Sequence, residues 1–452
     1  MTQISASSVL TAAPAPSGLP LLGILPRFAG NPLQFLLDAA IRYGPVVRLD
    51  LASRQTYLVS HPEGIKHILQ DNNRNYNKGY HQAKPLMGEG LVTSEGEFWR
   101  SQRRLIQPSF NRQQLAEYAD VMVTATRESF PRWDDFARSQ QPVNVAEEMM
   151  RLTQMIIVRT MFSDDIGDQA VALGKAFDQT LEHLNRALFS PHPIIEKLPT
   201  PANLRHQRAL RFLDEFIYTL IQKRRANPDA HNDLLSRLIL ARDPDSGEGM
   251  PDRQIRDELM TIFLAGHETT ANALAWTYYL LGSHPQVEAG LVSEIETLGG
   301  RQPLLEDLPA LPYSALVFSE ALRLYPPAWM FARHAIEEDA IQGVRIPAGA
   351  MIFLSPYVTQ RLPAFWDDPQ RFDPQRFSEE RSAARQRYAY FPFGGGPRQC
   401  IGNHFAQMEA QLIMTMMLQR YHLQPVEGIA VKPTPIATLQ PRPGVFVRFH
   451  IR

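Results

Sequence analysis

Apolar positions along most of this chain recur every three or four residues, the period of a helix with one buried face. Residues 31–43 carry that pattern and stop at Gly44–Pro45. Residues 46–51 and 56–60 alternate or run β-branched instead, with Ser53, Arg54 and Gln55 between them, which predicts a hairpin. His61–Pro62 opens another helix through Leu69, and residues 78–92, broken by glycines and a proline, read as a loop. Amphipathic stretches then fill residues 114–240, interrupted at Asn144, Ser163, residues 191–201 and Asn227. Residues 255–281 form the longest helical run. Asp252 is placed to cap it, residues 282–285 end it, and its almost wholly apolar middle predicts burial through the core. Short strands are predicted at 341–346, 351–354 and 446–451. The pattern describes a mainly α fold with a small β region, its β-containing lobe drawn from about 44–60, 341–354 and 446–451.

Composition narrows this picture. Hydrophobic residues make up 44% and charged residues 21% of 452, the balance of a soluble globular protein. A net charge of −1 provides no field for nucleic acid. One cysteine excludes an internal disulfide framework and fits a reducing compartment. Residues 1–18, rich in Ser, Ala and Pro, read as a flexible N-terminal tail. Residues 19–28 are apolar but too short and Pro-broken to span a bilayer, and no basic segment precedes them as in a signal peptide. No membrane anchor is expected, which makes a cytoplasmic protein the default.

The lone cysteine lies in Phe393–Gly394–Gly395–Gly396–Pro397–Arg398–Gln399–Cys400–Ile401–Gly402, with a helical pattern following from His404. Glycines admit positive φ and let a flat partner approach the backbone. Backbone N–H groups at a helix start favour a thiolate, a soft ligand suited to iron. A lone cysteine is otherwise most often a small buried hydrophobe. A phosphate cradle is disfavoured because no Lys–Ser/Thr follows the glycines.

Three further stretches carry chemistry. Trp99 and Arg103, four apart, share one helix face; they are either the anchor and rim of a solvated basic helix or a pair of donors for a carboxylate. Ala265–Gly266–His267–Glu268–Thr269–Thr270 interrupts the apolar helix with a glycine, an acid and an alcohol. Such a threonine back-bonds to a carbonyl and bends the helix, or uses that bend beside a metal. Glu320 and Arg323 lie three apart and can pair, with Arg376 a later third member.

Phe393, Gly396, Arg398, Cys400 and Gly402 resemble the haem-binding signature of the cytochrome P-450 family, and the other three stretches resemble that family's motifs in order, from Pro20 onward. The resemblance implies a single, mainly helical domain over 19–452 and haem b (iron protoporphyrin IX) ligated by Cys400. It implies propionate contacts from Arg398, Trp99, Arg103 and, on a looser spacing to Gly343, Arg333. Phe393 would tune the iron, Glu268 and Thr269 would deliver protons, and Glu320, Arg323 and Arg376 would brace the approach to the cysteine loop. Leu86, Met87, Leu91, Ala265, Ala328, Met330, Phe331 and Thr438 are the substrate-pocket residues by the same analogy, with core packing the alternative for each. His267 is set aside as an iron ligand in favour of Cys400.

The implied reaction inserts one oxygen atom of O2 into a C–H bond of an apolar small molecule such as a fatty acid, terpenoid or polyketide, by hydroxylation or epoxidation. No flavin or nicotinamide fingerprint is present. Electrons are therefore expected from a separate ferredoxin- or flavodoxin-type donor, with NAD(P)H entering only through its reductase. Arg100, Arg104 and Arg112 could add a basic docking face for that donor. The enzyme is expected to act as a monomer. A peroxide-driven peroxygenase, a haem enzyme of rearrangement, and a non-catalytic haem carrier or sensor are the competing readings.

Overall fold

The computed structural model describes residues 11–51, 54–163, 169–188, 198–227 and 231–452. Residues 1–10 of the expected tail, and the predicted breaks at 191–197, lie outside them. The chain divides into two compact units, Met1–Gly79 with Leu322–Cys400, and Tyr80–Ala321 with Ile401–Arg452.

The first unit is built on a five-stranded sheet in the order Val46–Leu51, Arg54–Val59, Met351–Leu354, Phe331–Ala335 and Tyr76–Asn77. The predicted hairpin forms its edge, pairing Val46 with Val59. Met351–Leu354 runs parallel to Arg54–Val59, and Arg333 pairs with Ile352. Val59, Ile65, Ile68, Leu69, Ile352, Leu354 and Phe391 close a core against the sheet. The helix Pro32–Tyr43 forms as predicted, with the Asn31 side chain accepting from Gln34 N at 3.2 Å. The helix expected to run through Leu69 is regular only over Pro62–Lys66 and continues as one wider π-type turn, His67–Asp71. The strand expected at 341–346 is a hairpin instead, Asp339–Ile341 against Val344–Ile346. Gln342 and Gly343 both take positive φ (51° and 75°), as a two-residue reverse turn requires.

The second unit is helical. Its longest helix, Asp252–Gly282, is buried along almost its whole length. Asp252 does not cap it: the residue lies in the first turn, with its Oδ1 accepting from Arg225 Nε at 2.7 Å. The neighbouring helix Val145–Phe162 packs along it, and Thr153 Oγ1 donates to the His267 carbonyl at 3.0 Å. Phe446–Ile451 is a strand, but it pairs in this unit with Tyr421–Pro425 and Val143–Asn144 rather than with the five-stranded sheet. A second small ribbon, Lys432–Pro435 with Leu439–Arg442, turns at Ile436, Ala437 and Thr438.

Candidate active site

The cysteine loop belongs to the first unit. Gly394 N donates to Phe391 O at 2.9 Å, Gln399 N to Gly396 O at 3.1 Å, and Cys400 N to Phe393 O at 3.0 Å. These bonds fold the loop into two short turns and bring Cys400 back onto Phe393. Gly396 has φ +63°, and a Cβ there would lie 1.8 Å from the Leu69 carbonyl oxygen. Tyr388 packs on Gly395 and donates to Gln70 Oε1 at 2.9 Å. The result is a rigid loop that leaves the Cys400 thiol exposed. This is the setting of a ligand, not of a buried hydrophobe. Gly402 differs: its φ is −89°, and a Cβ would meet nothing within 4 Å. Phe393 and Arg398 are half-buried, and Arg333 is buried on its strand with Nη1 donating to Ala332 O at 2.7 Å. Ala328, Met330 and Phe331 are half-buried, and Phe331 lies 6.2 Å from the Phe391 ring.

Arg323 is fully buried and donates through Nη1 to Gln360 O (2.9 Å) and Pro369 O (2.8 Å) and through Nη2 to Arg371 O (3.0 Å). A planar guanidinium thus serves three carbonyls at once, that of Gln360 in the interior. Its face covers Trp366 at 5.0 Å. Gln360, which no residue pattern singles out, completes the brace. Its Nε2 donates to Leu322 O and Arg323 O, and its Oε1 accepts from Phe391 N at 3.1 Å. Arg376 Nη2 donates to Asp368 O at 2.8 Å. Glu320 is fully buried on the same helix as Arg323, Pro312–Leu324.

The acid–alcohol motif belongs to the second unit. Between Gln254 and Tyr278 of the long helix, only Ala265, Gly266 and Thr269 are not buried. They fall on one face, so a narrow strip of small residues breaks an otherwise buried surface. The helix continues through the motif without a break. A Cβ on Gly266 would lie 3.2 Å from Ile157 Cδ1, a tight approach that favours a residue without one. Thr269 Oγ1 donates to Ala265 O at 2.7 Å, which leaves its oxygen able to accept a proton donor from the accessible side. Glu268, one position earlier, points elsewhere and is buried. Its Oε1 accepts from Thr438 Oγ1 at 2.5 Å and from Gln440 Nε2 at 2.7 Å. His267 is also buried, with Nδ1 3.2 Å from Phe263 O; burial holds its pKa below the ordinary value.

Leu86, Met87 and Leu91 are buried on a segment bound to the first turns of the same helix. Arg256 Nη1 donates to Leu86 O (2.9 Å), Gln254 Nε2 to Glu89 O (3.1 Å), Glu89 N to Asp257 Oδ2 (3.0 Å) and Leu91 N to Glu258 Oε2 (3.0 Å). Burial pushes the Glu258 carboxyl up to about 8, against the Leu91 and Gln254 donors. Trp99 is buried and Arg103 half-buried on the helix Gly96–Ile106. The expected basic face nearby is partly neutralised. Arg104 forks between Asp243 (2.8 Å) and Asp245 (2.6 Å), Arg100 pairs with Glu97, and Arg112 stays exposed.

An exposed thiol on a rigid glycine loop suits haem iron, and the strip of small residues beside an alcohol suits a flat cofactor and a small gas. A family model described as Cytochrome P450 matches residues 13–449. Cyclooctatin synthase of Streptomyces melanosporofaciens is 40% identical over 435 residues, covering 95% of this chain and 94% of its own. Pentalenene oxygenase of Streptomyces avermitilis is 36% identical over 430 residues, covering 94% of each. The crystal structure of the cytochrome P450DA heme domain aligns with a TM-score of 0.89 at 27% identity over 98% of both chains. Among the described residues no helix is long and apolar enough to cross a membrane.

Proposed function

The chain belongs to the cytochrome P450 family of haem-dependent monooxygenases, and from that premise we propose that it inserts one oxygen atom of O2 into a C–H bond of a polycyclic terpenoid. The single structural observation that carries the catalytic reading is the accessible strip of Ala265, Gly266 and Thr269 in a helix otherwise buried from Gln254 to Tyr278. The substrate class rests on relatives: pentalenene oxygenase and cyclooctat-9-en-7-ol 5-monooxygenase align over 94% and 92% of this chain.

Haem, when bound, supplies the oxygen-activating iron. Cys400 would be its protein ligand, held by the bond of its N–H to Phe393 O and by the fit of Gly396 on Leu69. Arg398, Arg333, Trp99 and Arg103 would donate to the two propionates. Phe393 would shield the sulfur and tune the iron. Thr269, with its own hydrogen committed to Ala265 O, would orient water by accepting from it, and Glu268 would hold the proton destined for that water. Apolar side chains from Leu86, Met87, Leu91, Met330 and Phe331 would exclude bulk water and orient the substrate. Electrons would come from a ferredoxin- or flavodoxin-type protein, reduced by NAD(P)H through its reductase.

Titration of the ferric protein with pentalenene, a panel of other cyclic terpene hydrocarbons and a fatty-acid series tests the substrate class. The expected result is a saturable Soret shift to shorter wavelength with one or more of the terpenes at micromolar concentration. Saturation by fatty acids alone would overturn it.

A further inference from the structure

The carboxyl of Glu268 is gripped by the far end of the chain. Thr438 Oγ1 (2.5 Å) and Gln440 Nε2 (2.7 Å) both donate to one oxygen, Oε1. Each donor is itself fixed. Asn272 Nδ2 donates to Thr438 Oγ1 at 3.1 Å, so the one hydroxyl hydrogen of Thr438 is directed to Glu268. Arg442 Nη2 donates to Gln440 Oε1 at 2.6 Å, which turns the amide nitrogen toward the carboxyl. Trp276 Nε1 donates to Leu439 O at 2.9 Å. Glu268, Asn272 and Trp276 are spaced four apart, so one stripe of the long helix receives the whole turn from Ile436 to Gln440.

With Oε1 taken by two donors, a proton on this carboxyl belongs on Oε2. We propose that Thr438 and Gln440 are positioning residues for proton delivery: by holding Oε1 they present Oε2 of Glu268 as the oxygen that carries and releases the proton. This gives Thr438 a place on the proton path. The inference rests on the reading of Glu268 as a proton carrier. Oxygen with two electrons from the external donor and two protons yields either water plus oxygenated product or hydrogen peroxide. A misplaced Glu268 shifts that division toward peroxide.

The test uses the full haem-loaded protein with pentalenene as probe, measuring oxygenated product against peroxide per NAD(P)H, together with thermal unfolding. The variants are Thr438→Val, Thr438→Ser, Gln440→Leu, Glu268→Gln and the double variant of Thr438→Val with Glu268→Gln. Thr438→Val and Gln440→Leu are expected to lower the product-to-peroxide ratio several-fold. Thr438→Ser, which keeps the donor, should restore it. In the Glu268→Gln background Thr438→Val should change neither the ratio nor the unfolding midpoint by as much as it does alone. A Thr438→Val protein that unfolds earlier but divides oxygen as the parent does would overturn the proposal, and Gln440→Leu decides it should Thr438→Val not fold. A Glu268→Gln protein with the parent ratio would overturn the proton-carrier reading itself, and the proposal with it.

Discussion

Gly396 lies directly against the carbonyl oxygen of Leu69: a Cβ on Gly396 would sit 1.8 Å from it, in a backbone with φ +63°. Neither the close approach nor the left-handed conformation tolerates a side chain. The contact sets how the cysteine loop sits on the π-type turn His67–Asp71. Gly396→Ala is expected to cost about 3 kcal/mol from strain and overpacking. Denaturant unfolding and haem bound per chain measure it. Gly402→Ala, where nothing lies within 4 Å of a Cβ, is expected to be far milder in unfolding of the haem-free chain.

Arg323 serves three carbonyls with one guanidinium. Lysine would keep the charge and lose the fork. Arg323→Lys is therefore expected to destabilise by about 3–5 kcal/mol, as when a buried charge loses its partners. Soluble yield and the thermal midpoint report the loss. Gln360→Leu, which strands the Leu322 and Arg323 carbonyls and the Phe391 N–H, should fall on the same side with a smaller effect.

Thr269 donates only to a carbonyl of its own helix. Thr269→Ala should therefore leave stability unchanged or raise it by about 0.5 kcal/mol, since alanine is the better helix former. Haem content should be retained, while product formation falls about tenfold or more as water is no longer oriented. Haem content, unfolding and product yield from one preparation check the three together.

Glu258 makes stability depend on pH. Its folded pKa is raised to about 8 from an ordinary value of 4.5. The folded protein thus holds a proton that the unfolded chain gives up. The contribution is fully present below pH 4.5 and is lost as pH rises through 8. Asp257 adds to the shift, while Leu91 N–H and Gln254 oppose it. Glu258→Gln removes the slope, which amounts to about 1.4 kcal/mol per pH unit at most. Unfolding free energies of parent and variant, compared between pH 5 and 9, should diverge in favour of the variant as pH rises. Parallel curves would contradict the assignment.

Much of this molecule is local and so was legible from residue patterns. The hairpin, the long buried helix and the cysteine loop each depend on neighbours within a few residues: the β-branched run, the apolar run, and glycines at positive φ. The parts that were not legible depend on distant partners. Gln360 resembles any other glutamine until the carbonyls of Leu322 and Arg323 are brought to it. Phe446–Ile451 was recognisable as a strand, but its partners, Tyr421–Pro425 and Val143–Asn144, were not. Thr438 was recognisable as part of a loop tip, but not that its hydroxyl reaches a carboxyl 170 residues away. Gly266 sits close to Ile157 of a helix more than a hundred residues earlier, a neighbour that no local pattern announces.

Cys400, exposed on its loop, is the proposed iron ligand. The most direct measurement is the absorption spectrum of the reduced, carbon monoxide-treated protein, compared with Cys400→Ser. The parent is expected to show the red-shifted band of a thiolate-ligated haem, and Cys400→Ser to lose it. A parent spectrum without that band, or a Cys400→Ser spectrum that keeps it, would rule out Cys400 as the ligand.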